Sequence, residues 1–338
     1  MSKKLRVAIV GATGAVGEAF LSILAERDLP VERVYPLASE RSVNDTVTFG
    51  RKDLDVQDVA GFDFSSADFA LFSAGSAVSE FYAPRAVAAG CTVIDNSSHF
   101  RYDENIPLVV PEVNGEILEH FSMPGIVANP NCSTIQMVVA LAPIHRAAGI
   151  SRINVATYQS VSGAGRKALE ELAQQTAGRL TFKTDEPVVF QQPIAFNALP
   201  QIDALQENDY SREEMKMHWE SQKIFADPDL QVNATAVRIP VFFGHGEAVH
   251  LETRNAISIE QVRQLMLAAP GVSYSEAQSD HAHPTQLTHA AGSDHVFVGR
   301  LRRDHTCERG INMWIVSDNI RKGAALNAIQ IMELLADN

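Results

Sequence analysis

The sequence predicts an α/β protein, a Rossmann-type doubly wound parallel sheet followed by a second α+β domain. Three observations carry this expectation. A glycine turn, "GATGAVG", sits between an apolar strand and a helix near the start. Short apolar strands then alternate with helices over the first 130 residues, the pattern of parallel crossover units. After Cys132 the strands lengthen and crossover helices become fewer.

The elements follow in order. "LRVAIV" (residues 5–10) is a short β-branched run that stops at Gly11. "AVGEAFLSILAER" places Val16, Phe20, Leu21, Ile23 and Leu24 at helical spacing. "VERVYPLA" reads as the second strand, Phe69 to Phe72 as a buried third, and "CTVIDNSS" begins a fourth after a helix closed by "AVAAG". "STIQMVVALAPIHRAAG" reads as a helix that Pro143 kinks or ends. "RINVATYQSVSGAG" is a strand and glycine loop, and "RKALEELAQQTAG" a helix closed by its glycine. "LQVNATAVRIPVFFG", "AVHLETR", "HVFVGRLRRD" and "INMWIVSDN" supply further strands. The last helix clusters Leu326, Ile329, Ile331, Met332 and Leu335 on one side. "EAQSDHAHPTQ" is the expected exposed loop.

The bulk properties limit function. A chain of 338 residues suits two domains. Its net charge of −13 argues against binding nucleic acid, while leaving room for a small anionic ligand. No membrane span or signal peptide is evident. The cysteines, Cys91, Cys132 and Cys307, form no disulfide framework, so a reducing cytoplasm is the expected setting.

Several residue groups could carry chemistry. Gly11 and Gly14 permit a tight turn and a close phosphate approach at a helix N-terminus. Near the end of the second strand, Ser39, Arg41 and Ser42 suit a 2′-phosphate, so NADP is favoured over NAD. Glu40 in the same run could take a 2′-hydroxyl instead. Cys132 precedes a helix, with Ser133 or Thr134 placed to cap it. A helix N-terminus stabilises a thiolate, as a nucleophile requires; a packed, inert thiol is the plain alternative. In "RIPVFFGHGE" a strand carries Arg238 and ends at Gly244, and His245 follows on a turn that could aim it at a thiol. With eleven histidines in the chain, a surface or core role competes for this one. Glu213 and Lys216 share a helix face, where a solvated ion pair is the simple reading. Arg101 is a further cation. His281 and His283 have no neighbours to complete a metal site, and no metal is expected.

Taken together, "GATGAVG", "LASERS", "DNSSHFR", "VVPEVN", "NPNCST", "QSVSGAG", "AFNALPQID", "EEMKMHWE", "RIPVFFGHGE", "FVGR" and "SDNIRKGAALNA" resemble the aspartate-β-semialdehyde dehydrogenase family over essentially the full length. The resemblance implies that the second domain serves catalysis and dimerisation, and that NADP is the cofactor. It implies domains of 1–130 plus 320–338 and of 131–319, with the last helix packed on the nucleotide domain. Cys132 would be the nucleophile that forms an acyl-thioester, His245 its acid/base partner, and Gln159 the residue that orients substrate. Glu213 and Arg238 would hold the α-amino and α-carboxylate groups. Arg101 and Lys216 would hold phosphate, so Glu213 and Lys216 need not be paired with each other. Thr13, Gly14, Ala15, Val16, Arg41, Ser42, Ser162, Gly163 and Asn319 would contact NADP.

The implied partners are a small-molecule substrate and inorganic phosphate, with the chain a homodimer. The implied reaction converts L-4-aspartyl phosphate into L-aspartate 4-semialdehyde. The related N-acetyl-γ-glutamyl-phosphate reductases are the alternative, opposed by Glu213, since an acetylated nitrogen carries no charge. A non-catalytic paralogue is a second alternative, opposed by the presence of Cys132, His245 and Gln159. Three departures stand out: Gly246 where relatives have serine, Val43 and Asn44 after "RS", and His99 where a small residue is common.

Overall fold

The computed structural model describes residues 4–183, 186–276 and 283–337. It forms two compact units: the chain up to Asn131 together with the segment from Ala324, and Cys132–Gly323.

In the first unit β1 (Leu5–Val10), α1 (Ala15–Glu26) and β2 (Val31–Ala38) are followed by a hairpin of β3 (Thr46–Phe49) and β4 (Lys52–Asp55). Next come β5 (Gln57–Asp58), β6 (Phe69–Phe72), α2 (Ser76–Ala88), β7 (Thr92–Asp95), α3 (Pro111–Asn114) and β8 (Ile126–Ala128). Six strands make one parallel sheet in the order β5-β2-β1-β6-β7-β8. Both faces are covered, as such a sheet requires. Val7 and Ile9 of β1 pack with Phe20, Leu21 and Leu24 of α1 and with Ile329 and Met332 of the C-terminal helix (Leu326–Asp337). Ala8 and Val10 face the other way, onto Ala83 and Ala86 of α2. Each fully buried large side chain here contributes roughly 1.5–3 kcal/mol.

Two glycines shape the turn after β1. Gly11 has φ +92°, and a Cβ there would lie 3.0 Å from the Ser73 carbonyl carbon. At Gly17 a Cβ would fall 2.2 Å from the Gly11 carbonyl oxygen, so α1 can sit on the turn only because residue 17 has no side chain.

The second unit begins with α4 (Cys132–Ala148), β9 (Ile150–Gln159), α5 (Arg166–Leu180), α6 (Arg212–Ile224) and β10 (Gln231–Arg238). It continues with β11 (His245–Thr253), α7 (Ile259–Ala268), β12 (Val272–Tyr274), β13 (Val296–Arg303) and β14 (Gly310–Ser317). Its mixed sheet has the order β10-β9-β11-β14-β13-β12. The pairs β9–β10 and β12–β13 are parallel and the others antiparallel. Helix α4 packs on one face of this sheet. Register places four strand termini together: Gln159 opposite Arg238, and His245 opposite Ser317.

Four local expectations change. Helix α4 runs through Pro143 to Ala148. Burial of Ile135, Val138, Val139, Leu141, Ala142 and Ile144 outweighs the one backbone hydrogen bond that proline forfeits. Cys132 is already helical, so Ser133 and Thr134 lie inside the first turn rather than capping it. Helix α5 passes its glycine and ends two residues later, because Gly178 keeps a helical backbone. Strand β10 stops at Arg238 rather than Gly244, since Pro240 has no N–H for the ladder; His245 instead opens β11. His281, one half of the histidine pair, lies outside the described residues, as does most of the expected exposed loop.

Gly246 also acquires a reason. It points away from α4, and a Cβ there would lie 2.7 Å from the Trp314 ring and 2.7 Å from Gln286 Nε2. The indole fills the volume a serine would occupy. Gly246→Ser is therefore expected to destabilise the protein by about 1–3 kcal/mol through overpacking, read as a lower urea midpoint with an unchanged slope.

Candidate active site

The nucleotide-binding candidates occupy the first unit. Gly11 N and Ala12 N both donate to Leu37 O, at 2.8 and 3.1 Å, which ties the glycine turn to the end of β2. Helix α1 starts after Gly14, which offers no side-chain cap. The N–H groups of its first turn, from Ala15 and Val16 onward, remain suited to a phosphate. Thr13 is half-buried in the turn. Just past β2, Ser39 and Arg41 are exposed and Ser42 half-exposed on a 3-10 turn, Glu40–Ser42. These residues fit a dinucleotide with a 2′-phosphate: a glycine cradle with no Cβ, an uncapped helix end and a nearby guanidinium. Val43 and Asn44 are exposed and take no space from that turn. Arg101 belongs to this unit and is buried, donating through Nη2 to Asn96 O at 2.9 Å.

The other candidates converge in the second unit at the four strand ends. The Ser160 backbone, just beyond β9, holds two of them. Its N–H donates to His245 Nδ1 at 3.1 Å, and its C=O accepts from Arg238 Nη1 at 2.7 Å. A backbone N–H can only donate, so Nδ1 of the neutral ring is the acceptor and Nε2 carries the proton. His245 is fully buried, and its Nε2 has no partner among the described residues. Burial pushes its pKa down to about 3, with help from the Arg238 charge and against Glu213 and the Gly244 backbone. The imidazole is therefore neutral in the folded protein at pH 7.

Arg238 is also buried, and desolvation lowers its pKa; Glu213 and then Cys132 act in the opposite direction. A thiolate at Cys132 and this guanidinium thus attract each other. Gly163 passes close to both basic groups: a Cβ there would lie 3.0 Å from Arg238 Nη1 and 3.4 Å from His245 Nε2. Gln159 donates to Glu213 Oε1 at 3.2 Å and to Thr157 Oγ1 at 3.3 Å. Lys216 bonds Glu213 at 2.8 Å and Asp203 at 3.1 Å. Glu213 and Lys216, which the resemblance assigns to different groups of the substrate, pair with each other here because both lie in the opening turns of α6, three residues apart.

Asn319 has a different setting from the one expected. Its Oδ1 accepts from Ser160 Oγ, Ser162 Oγ and Gly244 N, and its Nδ2 donates to Ser162 Oγ. The side chains of Asn319 and Ser162 thus brace the loop that carries His245. Other residues escaped the sequence reading. A Cβ at Gly323 would lie 2.9 Å from Cys132 Cβ, so the nucleophile candidate packs on bare backbone. Glu247 is fully buried two residues along β11 from His245, and burial raises its pKa well above the ordinary range, with the Gln136 side chain acting in the opposite direction. Gln136 is one helical turn beyond Cys132. The spacings 132/136 and 245/247 were the available signals; for Ser160 there was none, because its contribution is backbone. Cys91 is inert by contrast, its thiol pushed up to about 12 by burial. Among the described residues no group of three or more side chains could hold a metal ion, and no helix is long and apolar enough to cross a membrane.

A nucleotide-type sheet in one unit and a helix-borne thiol with a neutral imidazole in the other fit one class: nucleotide-dependent oxidoreductases. Comparison makes this particular. Residues 6–121 match the semialdehyde dehydrogenase NAD-binding domain and residues 141–322 the semialdehyde dehydrogenase dimerisation domain. The chain belongs to the semialdehyde dehydrogenase family. An aspartate-semialdehyde dehydrogenase of Legionella pneumophila is 58% identical over 335 residues, 99% of this chain and 96% of that protein. A crystal structure of Vibrio cholerae aspartate semialdehyde dehydrogenase II, complexed with ASA, aligns with TM-score 0.97 at 55% identity, covering 100% of this chain and 99% of that one. A Candida albicans aspartate semialdehyde dehydrogenase structure with NADP aligns with TM-score 0.77 at 25% identity, covering 98% of each chain.

The neutral imidazole sets a pH dependence. The unfolded histidine titrates near 6.5 and the folded one at about 3, so the unfolded chain binds the extra proton between these values. His245 therefore costs no stability above pH 6.5 and progressively more as pH falls to 3. The loss is about 2 kcal/mol at pH 5 and about 4 kcal/mol at pH 3. Glu247, with its raised value, acts oppositely: its contribution is full below the ordinary carboxylate range and declines as pH rises. Urea unfolding of wild type and His245→Gln at pH 8 and pH 5 isolates the histidine, and the wild type should lose about 2 kcal/mol more than the variant.

Proposed function

We propose that this chain is an NADP-dependent aspartate-semialdehyde dehydrogenase. In the biosynthetic direction it would convert L-4-aspartyl phosphate, NADPH and a proton into L-aspartate 4-semialdehyde, NADP and inorganic phosphate. The place of this step is in formation of lysine, threonine, methionine and isoleucine. The observation that carries the reading is the cluster at the four strand ends: a thiol at the α4 N-terminus, with a buried guanidinium and a neutral imidazole held by the backbone of one residue.

The residues divide the work. Arg238 binds the substrate α-carboxylate through paired N–H donors, and Glu213 takes the α-ammonium with Gln159 beside it. Lys216 turns from its carboxylate partners to phosphate, and Arg101 of the first unit is the second phosphate cation. The Cys132 thiolate attacks the acyl carbon; the C–S bond forms, the C–O bond to phosphate breaks, and phosphate leaves. Bound NADPH supplies the hydride that reduces the thioester carbon. The C–S bond then breaks, releasing aldehyde and restoring the thiolate. His245 donates its Nε2–H to the oxygen that becomes negative at each tetrahedral stage. The acid/base role expected of it narrows to donation, because Nδ1 already accepts a backbone hydrogen bond. Ser39, Arg41 and Ser42 bind the 2′-phosphate, Gly11 and the residues from Thr13 to Val16 the pyrophosphate, and Ser162 and Gly163 lie toward the nicotinamide end.

The nucleotide-binding and catalytic roles fall to the two units, close to the expected 1–130 plus 320–338 and 131–319 but divided after Asn131 and after Gly323, with a homodimer formed through the second domain in the cytoplasm. The matched dimerisation domain supports that assembly.

Phosphate-dependent reduction of NADP by the purified protein with L-aspartate 4-semialdehyde tests the reading, and its absence in folded, reduced protein rejects it. Cys132→Ala should lower kcat at least about 10³-fold with the nucleotide Kd unchanged. Arg41→Ala should raise KM for NADP about tenfold while leaving KM for NAD nearly constant.

A further inference from the structure

Between α5 and α6 the chain crosses the second unit without regular structure. Residues 189–192 and 199–204 of this segment, with Ala164 and Arg238, enclose a cavity of about 510 Å³. The wall is built, not draped. Glu171 and Gln175 project from one face of α5, a helical turn apart, and are 6% and 3% exposed. Glu171 Oε2 accepts from Val188 N at 3.0 Å and from Val189 N. Gln175 Oε1 accepts from Ile194 N at 2.8 Å and Ala195 N at 3.2 Å. Gln175 Nε2 donates to Glu171 Oε1 at 2.9 Å, joining the two anchors.

The far end of the segment is tied to Arg238 itself. Leu199 N donates to Arg238 O at 2.9 Å and Arg238 N to Leu199 O at 2.8 Å. Ile194, Ala195 and Leu199 pack with Ala168 and Leu172 of α5 and with Val161, next to the Ser160 peptide that holds the Arg238 guanidinium. The segment also keeps Phe196 and Asp203 at φ 60° and 71°, a conformation that costs a side-chain-bearing residue energy unless its surroundings enforce it. Asp203 is the residue that bonds Lys216.

We infer that Glu171 and Gln175 are positioning residues for substrate: by fixing this wall from α5 they set where Arg238 and Asp203 stand in the cavity. Neither touches the reacting atoms. The inference rests on the assignment of Arg238 to the substrate carboxylate. A buried carboxylate is suited to the task because every neighbour of Glu171 here is a donor. An amide at 171 fails in either orientation, since its NH2 must face either the Val188 and Val189 N–H groups or Gln175 Nε2. Exchanging the pair repairs this. Glu at 175 accepts from Ile194, Ala195 and the amide at 171, and the carbonyl at 171 accepts from Val188 and Val189.

The experiment compares wild type, Glu171→Gln, Gln175→Ala and the exchanged double variant Glu171→Gln/Gln175→Glu in the oxidation of L-aspartate 4-semialdehyde. Glu171→Gln should raise KM for the semialdehyde about tenfold, with kcat and KM for NADP within about threefold of wild type. The double variant should return KM to within about threefold. Gln175→Ala, which introduces no mismatched donor, should shift KM in the same direction and serves if Glu171→Gln does not melt cooperatively. Unchanged KM in a folded variant overturns the inference. So does a loss confined to kcat, or a double variant no better than Glu171→Gln. Inactive wild type would instead reject the function, which keeps the two failures distinct.

Discussion

The second unit depends on the backbone of one residue. Ser160 donates to His245 with its N–H and accepts from Arg238 with its C=O, so the two peptide planes that meet at one Cα space an imidazole and a guanidinium. Both groups are almost wholly buried, where an unsatisfied polar group costs about 1–3 kcal/mol or more. The clamp can exist only because register brings β9, β10, β11 and β14 to a common edge. Pro240 ends β10 at that edge, and the Ser160, Ser162, Gly244 and Asn319 bonds hold the connections beyond it.

Electrostatics follow from this arrangement. A buried cation beside an imidazole opposes a second positive charge, so the ring stays neutral and keeps its Nε2 proton for donation. Glu213 supplies the compensating charge for Arg238, and Lys216 and Asp203 extend an alternating row of charges away from it. Such a row is balanced before any ligand arrives, and a zwitterionic amino acid side can replace its members one for one. Burial holds the Glu247 carboxyl, two residues along β11 from His245, well above the ordinary carboxylate range, which disfavours a further charge there. Electrostatic preorganisation of this type favours an oxygen that becomes negative during reaction over one that is already charged in the ground state.

Legibility in the sequence followed interaction range. Strand β1, helix α1 and the glycine turn were readable because their patterning is local: alternate residues of β1 serve the two faces of the sheet, and apolar residues of α1 recur at its period. Gly246 was legible only as an oddity, because its cause is the Trp314 ring on another strand. The stop at Pro143 was misread because proline's local cost is small beside the buried surface of α4. Asn319, a cofactor contact by resemblance, also braces a loop with its side chain, a role that its neighbours in sequence do not show. Gly323 against Cys132 could not be read at all, since 191 positions separate them along the chain.

By itself the sequence determined the fold class, the glycine turn with its neighbouring guanidinium, and the residue types of a cysteine-dependent site. Those depend on periodicity, on turn chemistry and on which side chains are present. Tertiary structure alone decided that Lys216 also pairs with Asp203, that His245 carries its proton on Nε2, and that Glu171 and Gln175 hold the cavity wall. Each of these is a matter of which donor faces which acceptor between separate elements, and hydrogen-bond direction is set by packing rather than by spacing along the chain.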